Sequence, residues 1–462
     1  MIQHARVAHH AKSRGMAALT AVMVLFFVMA LVAAYTNRNL VFEQRISANS
    51  YRATRALEAA DAGLEWAVAM LNTGRTTANC NRPEAGVAGG FNDFRSRYLV
   101  PAANEANGEG AFDLAWGQNF ANRVYPACVI GDGALRCICP SVGQAPADIN
   151  APADGIGSAF RITFHLFNDD TARGGAMQLV SRGCGNPGAG DNACFAQRDD
   201  LPAVDSTTAV IATVGLVRAL PVAPKAALTA GGAVDATVGG LQIGNGAGTA
   251  DMAIQAGRTV TASAASRVRG PAGSGASEPE SIGEAEARGL VVQNAKDDTG
   301  ALWTNGLLSV QGVAEQRWFR ALFVLDRQSY QRQPATVRLN CAAGCNSAAI
   351  ANALLLNPRN PIWAEGNVDL DGANPLGTAA DPMMLIVNGN LTISGNAALS
   401  GFVHANQINW SAAAATWDGA IVTSGDFTAT TVASIRYDKA MLDTIRLRYG
   451  SFVRAPGGWN LY

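Results

Sequence analysis

The hydrophobic pattern begins with a long uncharged run near the start of the chain. No charged residue lies between Arg14 and Arg38, and almost every residue from Met16 to Tyr35 is apolar. About 20 apolar residues in helical conformation extend roughly 30 Å, which matches the hydrocarbon core of a bilayer. The pattern therefore predicts a transmembrane helix over 16–35.

The helical pattern continues beyond this run. Residues 39–72 contain no proline and a single glycine, Gly63, and the next residue that commonly ends a helix is Gly74. The apolar positions of this second part recur at helical spacing and form one stripe, made of Leu57, Leu64, Val68 and Leu71. The sequence predicts one helical unit over 16–74, whose second half packs on a globular head.

The residues before the apolar run are basic. Arg6, Lys12 and Arg14 keep the N-terminus in the cytoplasm, so the rest of the chain is expected to be exported. A secretory signal is normally cut after its apolar region. Here the best candidate for cleavage precedes that region, between Gly15 and Met16, which predicts a removable leader over 1–15 and a retained helix.

Short alternating segments follow the helix. The segment AFRITFHLF, residues 159–167, alternates apolar and polar positions with the period of a strand, and AMQLVSRGC follows after a turn. This pair predicts an antiparallel hairpin within a disulfide-rich β region over 75–225. Such a hairpin can form a small sheet against the helix.

The remaining chain, 226–462, is rich in glycine and asparagine. Strands of three to five residues are separated by Gly/Asn turns, as in MMLIVNGNLTISGNAALSGFVHA. Because Gly and Asn accept positive φ at corners, this texture predicts a β-solenoid or β-helix. Residues near 274–354 break the pattern and are interpreted as an insertion between two halves. A β-sandwich is the alternative, since the repeat is imprecise.

The cysteines indicate an oxidising compartment. An even number, all located after the helix, favours disulfides over a zinc site. Neighbouring positions suggest Cys184–Cys194 and Cys341–Cys345, and the other four leave three pairings open. The candidates are Cys80, Cys128, Cys137, Cys139, Cys184, Cys194, Cys341 and Cys345.

Composition and motifs give no sign of catalysis. The net charge of −1 and the lack of a basic stripe argue against a nucleic-acid partner. Beyond the leader only His165 and His404 remain, too few for a multi-histidine metal centre and badly placed for a Ser-His-Asp triad. We expect no catalytic residues, no metal and no cofactor, and the protein is interpreted as not an enzyme.

Three segments together resemble the PilX-type minor pilins of type IV pili. KSRGMAALTAVMVLFFVMALVAA looks like a class III prepilin leader and first helix half, with processing at Gly15–Met16. The run Ala60-Asp61-Ala62-Gly63-Leu64 resembles the helix continuation of that family, and the final YGSFVRAPGGW resembles its far end. The resemblance implies a long N-terminal α-helix followed by a mainly β head with a small pilin-like antiparallel sheet.

One position departs from the pattern of filament-packing pilins. These usually have Glu at the fifth mature position, where it pairs with the N-terminal ammonium of a neighbour, whereas counting from Met16 gives Thr20 here. A subunit with Thr20 cannot neutralise the ammonium of another subunit. This favours a place at the pilus tip or in an initiation complex.

The resemblance implies a structural function in pilus assembly and initiation at or near the tip, with a large head for adhesion or partner binding. The implied partners are the prepilin peptidase, other minor pilins, the major pilin and, as a candidate, a tip adhesin. The implied location is the bacterial inner membrane, with a cytoplasmic N-terminus, and then the extracellular pilus. The alternatives are a K-type pseudopilin of type II secretion and a membrane-anchored, polysaccharide-active β-solenoid enzyme.

Overall fold

The computed structural model describes residues 14–83, 92–101, 112–116, 123–131, 133–143, 157–166, 175–185, 206–245, 252–270, 278–295 and 313–461. The chain begins with α1 (Arg14–Leu71), a single helix of 58 residues. Within the described residues α1 is the one helix long and apolar enough to cross a membrane. A mainly β head follows, as predicted.

The first part of the head, which carries the antiparallel strands, has these elements in chain order: β1 (Arg75–Thr76), β2 (Asn92–Asp93), α2 (Phe94–Tyr98), β3 (Leu99–Pro101), β4 (Phe112–Leu114), β5 (Ala127–Gly131), β6 (Ala134–Ile138), β7 (Ser158–Leu166), β8 (Ala176–Cys184) and β9 (Thr207–Arg218).

The second part begins with short strands and then has three helices: β10 (Leu228–Ala230), β11 (Val234–Ala236), β12 (Leu241–Asn245), β13 (Ile254–Ala256), β14 (Val260–Ala262), β15 (Arg267–Val268), α3 (Ile282–Ala287), β16 (Val291–Val292), α4 (Val313–Phe323) and α5 (Arg327–Gln331). It continues with β17 (Val337–Asn346), α6 (Ser347–Leu356), β18 (Ile362–Leu370), β19 (Met383–Val387), β20 (Asn390–Ile393), β21 (Ala398–Ala405), β22 (Gln407–Trp410), β23 (Thr416–Thr423), β24 (Phe427–Ala429), β25 (Ala433–Tyr437), α7 (Lys439–Arg448) and β26 (Gly450–Leu461).

Two larger sheets are formed by these described strands. One is antiparallel, has the order β26-β9-β8-β7-β5-β6, and contains the predicted hairpin as β7 and β8. The other joins the sixteen strands β10–β25, and its ladders are parallel. Two small antiparallel pairs, β1 with β2 and β3 with β4, lie beside them.

The parallel sheet is curled into stacked turns. Met383 of β19 pairs with Gly401 of β21, and Ala398 of β21 pairs with Thr416 of β23, so one turn takes about 18 residues here. The intervening strands β20, β22 and β24 pair with each other to form a second wall. Parallel stacking of this kind is the predicted β-solenoid arrangement and does not fit a β-sandwich, whose sheets are antiparallel.

The turns are not stacked in simple chain order. The first turns run from β10 to β13 to β16, and the later ones run from β17 through β18, β19 and β21 to β23. The two runs meet where β10 pairs with β23. The chain enters from β9 and leaves through α7 to β26, which pairs antiparallel with β9. The whole parallel sheet is therefore inserted between two neighbouring strands of the antiparallel sheet.

Stacked glycines form one corner of the turns. Gly401 and Gly419 lie in register with φ of 145° and 127°. A Cβ on Gly419 would lie 1.9 Å from the carbonyl oxygen of Gly401, and a Cβ on Gly401 would lie 1.9 Å from that of Met383. Only glycine allows successive turns to approach this closely while the strand bends.

Apolar side chains fill the interior of the turns, and helices cover one outer wall. Trp410 and Trp417 are fully buried in the solenoid core. Outside, Phe319 and Phe323 pack edge-on against the imidazole ring of His404, with ring centroids 5.4 and 5.7 Å apart. Burial, together with the nearby charge of Arg327, lowers the pKa of His404 to about 3. His404 is thus a neutral core residue beneath α4.

Candidate functional site

The N-terminal half of α1 is exposed. Its large apolar side chains are exposed from Leu19 to Tyr51, and Phe26 is 74% exposed. The most apolar 18-residue window of the helix has a mean hydropathy of 2.5 and no burial. Exposed apolar surface on this scale requires a membrane or other protein to cover it.

The distal half of α1 lies on the antiparallel sheet. It packs against β7, β8 and β9 through small residues and the predicted apolar stripe. Gly63 of the helix faces Phe160 and Ser181, where an added Cβ would lie 2.4 Å from the Ser181 hydroxyl. From the other side, a Cβ on Gly183 of β8 would lie 2.0 Å from the carbonyl oxygen of Ala56. The helix and the strand therefore touch at the level of their backbones.

Aromatic rings close the sides of this helix–sheet interface. Trp66 makes an edge contact with Phe94 at 5.7 Å and lies 5.6 Å from Phe160, measured between ring centroids. Tyr98 stacks on Phe164 at 5.1 Å. Edge and stacked ring pairs of this kind add about 0.5–1.5 kcal/mol each beyond their buried area. They fix α1 at one rotation on the sheet.

A buried arginine fixes the C-terminal end of α1. The guanidinium of Arg95 donates to the carbonyl of Leu71, the last helical residue, and to that of Gly450 at 2.6 Å. Burial lowers the pKa of Arg95 to about 10, although Asp93 acts in the opposite direction. The cation also lies 4.9 Å from the ring centroid of Phe452. Arg95 thus joins the helix end to the start of β26.

Asn72 makes a second connection at the same end. Its side-chain amide donates to the carbonyl of Phe452 and accepts from the N–H of Phe452, both at 2.8 Å. Asn360, which precedes β18, donates to the carbonyl of Asn72 at 3.2 Å. Helix α1, strand β26 and the solenoid therefore meet at one buried hydrogen-bonded point.

The expected processing site lies at the other end of the helix. Gly15 and Met16 fall in the first turn of α1, and Thr20, one turn further on, is exposed.

Comparison with known proteins places this helix in a family. The PilX N-terminal family matches residues 14–65. Over these residues the chain is similar to the N-terminal segment of PilX-type minor pilins. The match covers α1 from Arg14 through the first part of its interface with the sheet. Pilins are structural proteins that are anchored in a membrane and incorporated into pili.

The remaining comparisons add little. No curated protein matches the chain. The crystal structure of the competence-associated pilin ComZ from Thermus thermophilus is 12% identical, with 72% of this chain and 88% of that chain covered. Its TM-score is 0.15, a value at which no common fold can be inferred. The PilX-type relationship therefore rests on the N-terminal segment.

Disulfides hold the region beside the PilX-type helix. The structure joins Cys80 to Cys139 and Cys128 to Cys137, one of the three pairings that the sequence left open. It also joins Cys341 to Cys345 on β17. Every described cysteine is bonded, Cys184 included, whereas Cys194, the partner suggested for it, lies outside the described residues.

His165 and His404 lie in different sheets of the head. His165 is exposed on β7, 3.2 Å from the Thr163 hydroxyl, while His404 lies buried on the solenoid. No three potential metal ligands come together within the described part of the chain. Where carboxyl pKa values are shifted, as for Asp235 and Asp326, hydrogen bonds from neighbouring N–H groups lower them, opposite to what a general acid needs.

The sequence does not single out the residues that position the helix. Gly183 lies in an ordinary strand pattern, and Arg95 is one of two arginines between Asp93 and Tyr98 that the sequence does not distinguish. Their function depends on partners that are distant in sequence, so no local signal identifies them. The Gly63 region, in contrast, was visible as part of the family-like run.

Proposed function

We propose that this protein is a minor pilin of a type IV pilus that acts in assembly or initiation at or near the tip. The observation that carries the proposal is α1, a PilX-type helix with an exposed apolar half and a distal half fixed on a β head. The exposed half would lie in the inner membrane before assembly and among other pilin helices afterwards. The head would then project outwards.

The tip position rests on Thr20. In a packed filament, the fifth residue of each subunit lies beside the N-terminal ammonium of the neighbour, and an unpaired charge in an apolar helix bundle is costly. Thr20 provides no negative charge for this purpose. The subunit could be followed by others that carry Glu at this position. It could not neutralise the N-terminal ammonium of a subunit ahead of it. This supports placement where no subunit lies ahead.

The partners follow from the same arrangement. A prepilin peptidase would cleave after Gly15, and other minor pilins and the major pilin would pack against the exposed half of α1. A tip adhesin is a candidate partner for the head. The cytoplasmic position of the leader is supported by Arg6, Lys12 and Arg14 beside the apolar run.

Processing provides the first test. Gly15→Glu should block maturation and pilus incorporation while membrane insertion persists, because a bulky charged residue replaces the small one beside the cleaved bond. Gly15→Ala is the matched control and should be processed, since alanine is also small. Immunoblotting of membrane and pilus fractions separates precursor from mature chain. Mature-sized protein in Gly15→Glu would refute the prepilin assignment.

Position in the filament provides the second test. Immunogold labelling of sheared pili should place the wild-type head at the filament ends. Thr20→Glu should change its position or abundance without changing the fold of the head, because Thr20 lies far along α1 from the sheet. Uniform labelling of the shaft by the wild-type chain, at a density near that of the major pilin, would contradict the tip position.

A further inference from the structure

One wall of the solenoid is polar, and its outward residues are exposed or half-buried. It consists of the second half of β18 followed by β20, β22, β24, β11 and β14, which pair in parallel in that order. We call it the polar wall. Its inward positions are apolar and buried, and its outward positions alternate with them at the period of a strand.

The central outward positions form a registered row across all six strands. The paired residues are Asp369, Thr392, Asn409, Thr428, Asp235 and Thr261. Neighbouring strands lie about 4.8 Å apart, so the row repeats hydroxyl, amide and carboxylate groups at that interval over roughly 24 Å. Each strand is hydrogen-bonded to its neighbours, which keeps the row regular.

A second row of amides lies two residues back along the strands. Asn390 and Gln407 pair in register and are exposed. Within the described part of the chain, their side-chain amides make no hydrogen bond to protein, whereas Asn409 accepts from the Thr428 hydroxyl at 2.7 Å and keeps its amide N–H groups free. The two carboxylates of the central row are already engaged, since Asp369 accepts from the Ser394 hydroxyl and Asp235 accepts from Thr237. The unused hydrogen-bonding capacity of the wall therefore lies in its amides, each of which offers two donors and an acceptor.

The chemistry of the wall restricts what it can bind. None of the outward positions of these strands is Lys, Arg, aromatic or aliphatic. Anionic polymers are disfavoured because Asp369 and Asp235 carry the only charges among these positions. A protein interface is disfavoured because its energetic centre normally needs aromatic, Arg or apolar anchors. A neutral chain of hydroxyl groups, each able to donate and to accept, matches the free amides of Asn390, Gln407 and Asn409.

We propose that the polar wall binds a neutral polysaccharide, held mainly by hydrogen bonds from its free amides to the sugar hydroxyls. The proposal rests on the display function proposed for the head, and gives that head a ligand class. It does not depend on leader processing. Loss of glycan binding and failure of Gly15 processing are therefore separate outcomes.

The test uses the full-length chain in detergent and an array of neutral oligosaccharides, with heparin and polylysine as charged probes. The wild-type chain should bind neutral glycans and neither charged polymer. The triple variant Asn390→Ala, Gln407→Ala, Asn409→Ala should bind at least about tenfold more weakly, because several hydrogen bonds to the ligand are lost.

Gln242→Ala is the matched control. Gln242 is an exposed amide on β12, on a different wall of the same solenoid, and pairs in register with Ser434. Its substitution should leave glycan affinity unchanged, and thermal unfolding should show that all variants keep the fold. The proposal is overturned if the wild type binds no neutral glycan, binds heparin or polylysine instead, or loses no affinity in the triple variant.

Discussion

Substitution of Gly183 by alanine tests how closely α1 must pack on the antiparallel sheet. A Cβ at this position would lie 2.0 Å from the carbonyl oxygen of Ala56 and 2.5 Å from the backbone nitrogen of Ala60. Ordinary contact requires about 3.5 Å, so helix and strand would have to separate by more than 1 Å. The obstacle is backbone and cannot rotate away, as a side chain could.

The expected cost follows from this geometry. Overpacking a core by one methyl group costs typically about 1–3 kcal/mol, and occasionally more, and the rigid backbone places Gly183→Ala near 3 kcal/mol. Gly215 on the adjacent strand β9 has nothing within 4 Å of its added Cβ. Gly215→Ala should therefore be neutral, or should stabilise the protein by about 0.4–1 kcal/mol because alanine lowers the conformational entropy of the unfolded chain.

The assay compares these two alanine variants of the full-length chain in detergent. Unfolding in urea is followed by Trp fluorescence, to which Trp66, in contact with Phe94 and Phe160 at the interface, contributes together with the other seven tryptophans. Gly183→Ala should unfold at clearly lower urea than wild type, and Gly215→Ala should not. Equal midpoints for the two variants would refute the backbone contact as the element that fixes the helix.

Two further predictions concern other parts of the head. His404 is buried with its pKa lowered to about 3, whereas the unfolded chain takes up a proton near pH 6.5. The free energy of unfolding should therefore fall by about 1.4 kcal/mol per pH unit as the pH decreases from about 6.5 towards 3. Thermal melts from pH 7 to 4 should show a weaker pH dependence in His404→Phe than in the wild type. An equal slope in the two proteins would contradict a buried, neutral His404. Replacing both cysteines of Cys80–Cys139 with serine should cost about 2 kcal/mol more than doing so at Cys341–Cys345, since the sequence separations are 59 and 4. Denaturant midpoints of the two double variants check this, and the reverse order would exclude loop closure as the source of stability.

Much of the N-terminal helix was predictable because its signals are local. The absence of charge between Arg14 and Arg38 and the absence of proline up to Asn72 determine a helix whatever it later contacts. The observed α1, Arg14–Leu71, begins and ends close to the predicted limits. The apolar stripe was visible for the same reason, since residues three and four apart share a face.

The solenoid texture was predictable, but its path was not. Gly and Asn at regular corners indicate short stacked strands, and Gly401 and Gly419 are such corners. The stacking order depends on pairs that the sequence separates widely, such as Ala233, whose N–H donates to Asp426 across 193 residues. The periodicity of the sequence does not show that β10, the first strand of the solenoid, pairs with β23 near its end.

The sequence by itself therefore determined the membrane-length helix, the mainly β character of the head and the polar chemistry of individual strands, because each depends on neighbours within a few residues. Only the tertiary structure decided that Arg95 donates to the carbonyl of Gly450, 355 residues away, and that Gly183 packs against the backbone of α1. It also aligned Asp369 and Asp235 in one row. These are properties of packing and register, which arise when distant segments come together in a single fold.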